Sequence, residues 1–102
     1  MSESELFTLL NTLHLPVAYD HFTTPNLIPP FILYRNTDTT TFKADDKTYK
    51  RINNYIVDLV TEIKDTDLEE SVEKLFNDNF LPFDKEEDWI DSERIYQIRY
   101  FI

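Results

Sequence analysis

The side chains best suited to chemistry are two histidines and a group of carboxylates. His21 follows Asp20, and a His–carboxylate pair can hold a metal ion or act as a general base. No third ligand or nucleophile stands at a suitable spacing from this pair. His14 is expected at the end of a helix, where an imidazole complements the helix dipole. We therefore assign structural roles to both histidines.

The densest group of carboxylates lies between positions 84 and 93. Its members are Asp84, Glu86, Glu87, Asp88, Asp91 and Glu93. On a strand, Asp84, Glu86 and Asp88 project to one face, where like charges repel each other unless a cation or water solvates them. No Asp-x-Asp-x-Asp-Gly loop accompanies them, so a calcium loop is not supported. We favour a solvated face that protects a strand edge, and the alternative is an acidic functional surface.

Two residue types on which many reactive sites depend, cysteine and glycine, do not occur among the 102 residues. Without cysteine there is no thiol nucleophile and no zinc–thiolate site. Without glycine there is no glycine-rich phosphate loop and no Gly-x-Ser-x-Gly nucleophile turn. The sequence therefore predicts a protein that is not an enzyme and that binds no cofactor or metal.

The charge balance is strongly acidic, with 20 acidic residues, 10 basic residues and a formal net charge of −10. Such a chain is repelled by nucleic acid and by anionic membranes, because phosphate contacts need clustered Lys and Arg. The charge is compatible with simple solubility, with a surface that DNA passes without sticking, and with a surface that imitates DNA. No leader and no apolar run of bilayer length is visible, so we expect a soluble, non-secreted protein.

The elements that must position these side chains form a single predicted domain, residues 1–102, of the α+β class. The expected order is helix (3–13), four strands (16–22, 31–36, 37–44 and 51–63), helix (67–78) and two strands (81–91 and 92–102). Ser2 with Glu5, and Thr66 with Glu69, have capping-box spacing. The apolar stripes of the helices and the alternation in the strands predict an antiparallel-rich sheet with both helices packed on one face.

Two features of the predicted strands bear on function. The segment Asn36-Thr37-Asp38 is expected to form the turn between the second and third strands. The longest strand, 51–63, has one apolar face and one mixed face, and a mixed face on a long central strand often meets a partner. The charged stretch 45–50 is expected at the tip that precedes this strand.

Three segments carry the most distinctive patterns of the sequence. They are PPFILYRNTDTTTFKADDKTYKRINNYIVDLVTEIKD (29–65), LEESVEKLF (68–76) and WIDSERIYQIRYFI (89–102). The ADDKTY bend leading into the Y-x-V-x-L-x-T strand is the most specific part, followed by I-x-S-E-x-x-Y-Q. Together the segments resemble the small tail terminator, or tail-completion, proteins of long-tailed phages and prophages of Gram-positive bacteria. The likeness covers nearly the full chain apart from the first helix and the Pro-rich loop.

The resemblance implies a structural protein without enzymatic activity or cofactor, built from two helices on an antiparallel-rich sheet. Such proteins assemble as a six-membered, homohexameric ring that caps the completed tail tube, ends its polymerisation and presents the surface that docks the head. The implied partners are further copies of the chain, the major tail tube protein and a head-completion or connector protein. DNA crosses the ring without specific binding, and no membrane is involved. The implied location is the tail of the virion, assembled in the cytoplasm of the bacterial host.

The charged tip and its flanks are the predicted contact surface of such a ring. The residues assigned to subunit or tube contact are Asp45, Asp46, Lys47, Tyr49, Lys50, Arg51 and Trp89. A closed ring needs two different, mutually complementary surfaces on each protomer, and the tip is a candidate for one of them. Two alternatives stay open: a head-completion or stopper protein of the same connector, and an acidic DNA mimic that inhibits a host DNA-binding protein.

Overall fold

The computed structural model shows two helices and one five-stranded sheet. It describes residues 1–23, 27–44 and 47–102, with the side chains of 38–44 and 47–52 outside that description. The elements in chain order are α1 (Glu3–Asn11), β1 (Val17–Tyr19), β2 (Phe31–Ala44), β3 (Lys47–Thr61), α2 (Thr66–Asp78), β4 (Asp84–Ile90) and β5 (Ile95–Phe101). The predicted α+β class and the placement of the helices among the strands are confirmed.

The strands lie side by side in the order β1-β2-β3-β5-β4. β1 runs parallel to β2, whereas the other three neighbouring pairs are antiparallel, as the expected antiparallel-rich sheet requires. β5 lies between β3 and β4, so the connection from β3 through α2 to β4 crosses over one strand. β4 therefore forms one edge of the sheet and the short β1 forms the other.

Both helices pack on the same face of the sheet and enclose one apolar core. Leu59 lies opposite Ile32 of β2 and Ile98 of β5. The next inward-facing row of the core also places one buried residue from each of these three strands side by side. The helices contribute Leu6, Leu10, Val72 and Phe76, all fully buried. Burial of each such side chain stabilises the fold by about 1.5–3 kcal/mol. The predicted packing of both helices on one face is confirmed.

Helix α1 begins where its sequence predicts. The Ser2 hydroxyl accepts a hydrogen bond of 3.2 Å from the backbone N–H of Glu5, which satisfies one of the free donors of the first turn. The helix ends at Asn11 rather than at the predicted residue 13, and Thr12 caps it. His14 follows with a φ of 60°, a left-handed conformation that stops the helix without a glycine.

Helix α2 is capped one residue earlier than predicted. The Asp65 carboxylate accepts a 3.0 Å hydrogen bond from the backbone N–H of Leu68, so the predicted capping box of Thr66 and Glu69 is wrong. A carboxylate at the N-cap position serves as well as a hydroxyl, and the earlier acidic residue took the role. The Glu69 side chain is thereby free for a buried ion pair.

The turn predicted at 36–38 is wrong, because β2 is one continuous strand of 14 residues. The pairing with β3 shifts by one residue between Asn36 and Asp38, which leaves Thr37 as the extra residue of a β-bulge. The Thr37 hydroxyl donates a 3.1 Å hydrogen bond to the carbonyl of Asn54. Polar residues of this kind favour bulges as well as turns, and the two predicted strands 31–36 and 37–44 are therefore one.

β2 and β3 continue beyond the rest of the sheet as a two-stranded extension. β1 pairs with β2 at Ile32–Tyr34, and β5 pairs with β3 at Ile56–Thr61. Past these rows, β2 and β3 pair with each other in the described part of the chain, up to the Ala44–Lys47 pair. We term residues 38–44 and 47–54 the ribbon. At about 3.3 Å per residue it reaches roughly 25 Å past the sheet, in a molecule of 51 × 28 × 22 Å.

Candidate functional site

The surface opposite the helices is termed the open face, since neither helix covers it. It carries Phe31, Leu33 and Arg35 of β2, Ile56, Asp58 and Val60 of β3, Gln97, Arg99 and Phe101 of β5, and Asp84, Glu86 and Asp88 of β4. The apolar residues of β3 on this face are buried and those of β2 are half-buried, while exposed carboxylates stand on the edge strand β4. The polar–apolar mixture predicted for one face of the long strand 51–63 is present on this surface.

An ion pair lies at the centre of the open face. The Arg99 guanidinium binds the Asp58 carboxylate through two bonds, Nε to Oδ1 at 2.8 Å and Nη2 to Oδ2 at 3.2 Å. Asp58 is 8% exposed, and the bidentate geometry is what makes a charge acceptable there. The hydrogen bond with Asp58 raises the pKa of Arg99. Two N–H groups of the guanidinium are therefore engaged by a neighbour in its own sheet, and attraction to Glu86 and Asp88 adds to the rise of its pKa.

Two cavities lie on the open face, one of them over this ion pair. One of about 320 Å³ lies over Asp58 and Arg99 and brings in the charged residues Asp20 and Arg35. The other, of about 480 Å³, is built on Phe31, whose ring contacts that of Phe22 at 5.3 Å between centroids in an edge-to-face arrangement. The open face thus provides a concave, partly apolar surface that suits a contact with another protein.

The carboxylates of Asp84, Glu86 and Asp88 line the edge of the open face, and the structure confirms that they share one face of their strand. All three residues are exposed, and alternate strand residues stand about 7 Å apart. Within the described part of the chain, no lysine or arginine side chain lies at ion-pair distance from them. We term these three residues the acidic stripe.

A different polar cluster ties β4 to α2 on the helical side. Glu69 is 3% exposed, with its Oε1 at 2.8 Å from Lys85 Nζ and its Oε2 at 2.8 Å from Lys64 Nζ. The second contact is close but lacks hydrogen-bond geometry at Oε2, and the same ammonium donates to Oε1 at 3.0 Å instead. Burial raises the pKa of Glu69, but the two ammonium groups together lower it by more, so it lies below the ordinary value.

Three further side chains join this cluster, one of them from the core and one from the exposed part of β4. Glu73 accepts hydrogen bonds from Lys85 at 3.1 Å and from the buried Tyr100 hydroxyl at 3.0 Å, while Lys64 also pairs with Glu87. Burial and the adjacent carboxylate raise the pKa of Tyr100. Sequence reasoning missed this cluster. The available signal was the four-residue spacing of Glu69 and Glu73, which puts both on one face of α2.

The ribbon differs in charge from the rest of the molecule. Segment 38–54, which is the ribbon together with Asp45 and Asp46 between its strands, holds four of the 10 basic residues and three of the 20 acidic residues of the chain, a net charge of +1. Six basic and 17 acidic residues remain elsewhere, a net charge of −11. The four cations are Lys43, Lys47, Lys50 and Arg51. A weakly cationic extension therefore projects from a strongly anionic body.

The structure describes most of the predicted contact residues only at the level of the backbone. Asp45 and Asp46 lie outside the described residues. The other four, Lys47, Tyr49, Lys50 and Arg51, lie within the first five residues of β3. The prediction that residues 47–50 belong to a tip before the strand is therefore wrong, because this segment pairs with β2. The register passes from Phe42–Lys50 to Lys43–Thr48 and so skips Tyr49. The four residues thus lie together on the ribbon, and their role in contacts between molecules stays a prediction.

Trp89, the remaining predicted contact residue, stands apart from the ribbon. It pairs with Tyr96, which pairs with Thr61, at the end of the sheet opposite to the one where the ribbon begins. Its ring lies 4.7 Å from that of Tyr96, and the Arg94 guanidinium lies 5.8 Å from its centroid. The side chain is 42% exposed, so half of the indole packs and half is accessible. Trp89 and the ribbon cannot belong to one contiguous contact patch.

His21 and Asp20 form an exposed pair at the surface. His21 Nδ1 lies 3.2 Å from Asp20 Oδ2, so the pair predicted from sequence forms, but both side chains are largely exposed. Among the described residues, no group of three His, Asp or Glu side chains is placed to hold a metal ion. Neither described helix has the length and apolar character needed to cross a membrane.

The chain matches no known protein family, no curated protein and no solved structure. Its function must therefore be argued from its own surfaces. Two of them stand out: the ribbon, and the open face with the acidic stripe at its edge. The open face, with its concave, partly apolar surface and its row of exposed carboxylates, suits a contact with another macromolecule.

Proposed function

We propose that this protein is a structural phage tail protein that caps the tail tube as a ring, ends tube polymerisation and provides the head-docking surface. The ribbon is the observation that carries the proposal. Two-stranded ribbons are marginally stable in water when nothing packs on them. A ribbon that reaches roughly 25 Å past its sheet is therefore suited to be held by a neighbouring molecule.

Ring closure requires that each protomer present two different surfaces that fit each other. The ribbon and the open face are two such surfaces. They differ in shape, since one projects and the other is concave in part, and they differ in charge. The resemblance of segments 29–65, 68–76 and 89–102 to tail terminator proteins points to the same kind of assembly.

The net charge of −10 suits a ring that DNA must cross. Cationic walls would bind the duplex through its phosphates and slow its passage, whereas anionic walls leave it hydrated and mobile. Four of the ten cations lie in the ribbon and five others take part in ion pairs such as Arg99 with Asp58, while Arg35 is exposed on the open face. A ring of such protomers would present little free positive charge to DNA.

The test is the effect of the purified protein on tail tubes assembled from the tube protein of the same phage or prophage. We expect ring-shaped density at one tube end and tubes that stop growing, both measured by negative-stain electron microscopy. An unrelated acidic protein of similar size and charge is the control. Tubes that reach the same length with and without the protein, and that carry no added density, would contradict the proposed function.

The same preparation distinguishes the two other functions that the sequence leaves open. A head-completion protein would bind the head connector and leave tube ends bare. A DNA mimic would bind a cationic DNA-binding protein of the host, with an affinity that falls steeply with salt. Either result, without tube capping, would replace the proposal.

A further inference from the structure

We propose that the ribbon of one copy docks on the open face of the next copy, where its cations meet the acidic stripe. This joint rests on the proposed ring and specifies which surfaces connect its members. The occupant of the open face is thus a second copy of this chain. The ribbon and the face are different surfaces, so the contact is head-to-tail and repeats around the ring.

The first argument is the state of the acidic stripe. Its three carboxylates stand in a row on an edge strand, and no cationic side chain of the described residues lies at ion-pair distance from them. Arg99 is next to Glu86 in register and attracts Glu86 and Asp88, but its hydrogen bonds go to Asp58. This single cation offsets part of the repulsion among the three carboxylates, and cations brought by another molecule relieve the rest.

The second argument is the composition of the ribbon. Its four cations all fall within residues 43–51, a stretch that also contains Tyr49, and Phe42 precedes it. The open face offers the matching chemistry, with the acidic stripe at its edge and the half-buried Phe31 and Leu33 beside the larger cavity. Aromatic residues with Lys and Arg against an apolar and acidic surface give both burial and charge complementarity.

The third argument is direction. The acidic stripe runs from Asp84, in the row of Ile56, to Asp88, in the row of Val60. The ribbon leaves the same row of Ile56 in the opposite direction along β3, toward Lys47. A molecule's own ribbon therefore extends away from its own stripe, and the stripe stays accessible to the ribbon of another copy.

Charge reversal tests the joint. The ribbon variant carries Lys47→Glu and Lys50→Glu, and the stripe variant carries Glu86→Lys and Asp88→Lys. Each variant alone opposes like charges at every joint, so we expect self-association to fall by about tenfold or more. Native mass spectrometry and sedimentation velocity measure it, in solution and on tail tubes. Circular dichroism and thermal unfolding verify that both variants fold.

An equimolar mixture of the two variants is the decisive sample. The acidic ribbon of one variant faces the cationic stripe of the other, and the cationic ribbon of the second faces the acidic stripe of the first. Every joint of an alternating ring is therefore attractive, and we expect assembly to recover. The recovered species contain equal numbers of both chains, which their masses report. A ring with an even number of members closes in this way.

A control variant with Lys74→Glu and Arg94→Glu has the same change of net charge as the ribbon variant. Both residues are exposed and lie outside the ribbon and the open face, so we expect near wild-type assembly. The joint is overturned if either reversed variant assembles like the wild type, if the folded mixture fails to recover, or if the wild type shows no self-association in solution or on tubes.

The outcomes separate the joint from the proposed function. Wild-type protein that caps tubes while charge reversal has no effect keeps the tail function and removes this joint. Wild-type protein that self-associates with full recovery in the mixture, yet leaves tubes uncapped, keeps the joint and removes the tail function.

Discussion

At the scale of single residues, Glu69 shows how this acidic chain tolerates a buried charge. Its carboxylate is 3% exposed and lies between the ammonium groups of Lys64 and Lys85, which come from outside its own helix. A buried carboxylate without such partners would be protonated or would unfold its surroundings. Two cations on one carboxylate also fix the edge strand β4 to helix α2, because Lys85 belongs to that strand.

We predict that Glu69→Gln lowers the free energy of unfolding by about 2 kcal/mol near neutral pH, since it removes charged hydrogen bonds in a buried position. The pKa of Glu69 is lower in the folded state than its ordinary value of 4.5. The contribution of the charge is therefore complete above pH 4.5 and is lost as the pH falls through the lowered folded value. Urea unfolding across this pH range measures both effects.

Glu70→Gln is the matched control, because Glu70 is the exposed neighbour of Glu69 on α2. We expect it to change the unfolding free energy by no more than about 0.5 kcal/mol. A difference between wild type and Glu69→Gln that persists undiminished at about pH 3 would show that the charge of this residue does not stabilise the fold.

The N-caps of the two helices and the ion pairs of Glu69 differ in how well the sequence predicts them. The hydrogen bond from Glu5 to Ser2 was predictable because it joins residues three apart. The cap of α2 was placed one residue late, since the Asp65-Thr66 pair offers two suitable side chains in succession. The lysine partners of Glu69 were not predictable, because they depend on how α2 and β4 meet in the folded protein.

At the scale of elements, the ribbon is the part of the fold that the sequence predicts least directly. Period-two alternation correctly places Tyr55, Val57 and Leu59 on the buried face of β3. The same alternation breaks at Thr37, where the sequence alone does not decide between a turn and a bulge. The outcome matters, because a bulge joins two short strands into one long strand and so extends the ribbon past the sheet.

We predict that a shortened ribbon leaves the body of the protein folded but abolishes assembly. Deletion of residues 39–42 and 50–53 removes four paired rows and keeps the alternation of both strands. The described core side chains come from other segments, so we expect the thermal unfolding midpoint to shift by only a few degrees. Sedimentation velocity and tube capping are expected to show loss of self-association and of capping.

Two results would contradict this prediction. A large loss of cooperative unfolding would mean that the ribbon stabilises the body as part of one folding unit. Retained assembly would mean that the contacts between copies lie elsewhere, for example at Trp89 at the opposite end of the sheet.

At the scale of the whole molecule, the uneven distribution of charge means that salt acts on assembly in two opposite ways. Each copy carries a net charge of −10, and copies repel one another over long distances at low ionic strength. The proposed joint brings opposite charges into direct contact, where attraction persists until salt is high. Long-range repulsion is screened first because the Debye length falls from about 30 Å at 0.01 M to about 8 Å at 0.15 M.

We predict that self-association passes through a maximum with salt. The association constant is expected to rise from about 0.01 M to about 0.15 M NaCl and to fall again toward about 1 M, where the Debye length is about 3 Å. Sedimentation velocity measures it, with circular dichroism at each concentration as the control for folding. A steady rise up to about 1 M would indicate that apolar contacts, rather than charge pairs, hold the copies together.

The strand order of the whole sheet could not be predicted from the sequence pattern. The C-terminal hairpin was predicted because β4 and β5 are adjacent in sequence, and both strands are present. Nothing in the alternation of Tyr96, Ile98 and Tyr100 indicates which other strand they join, since pairing with β3 depends on the crossover through α2. The function stays a prediction, argued from the resemblance and from the surfaces described above.

The position of β5 in the centre of the sheet has a consequence for biosynthesis. Ribosomes deliver β3, α2 and β4 before β5, yet β5 supplies the pairing partner of both strands. Until it emerges, the nascent chain carries a long β3 with an unpaired apolar edge, which is prone to aggregation. The charged residues of β4 oppose this aggregation as long as β5 has not yet emerged. The sheet is therefore completed between β3 and β4, by the last of its five strands to be made.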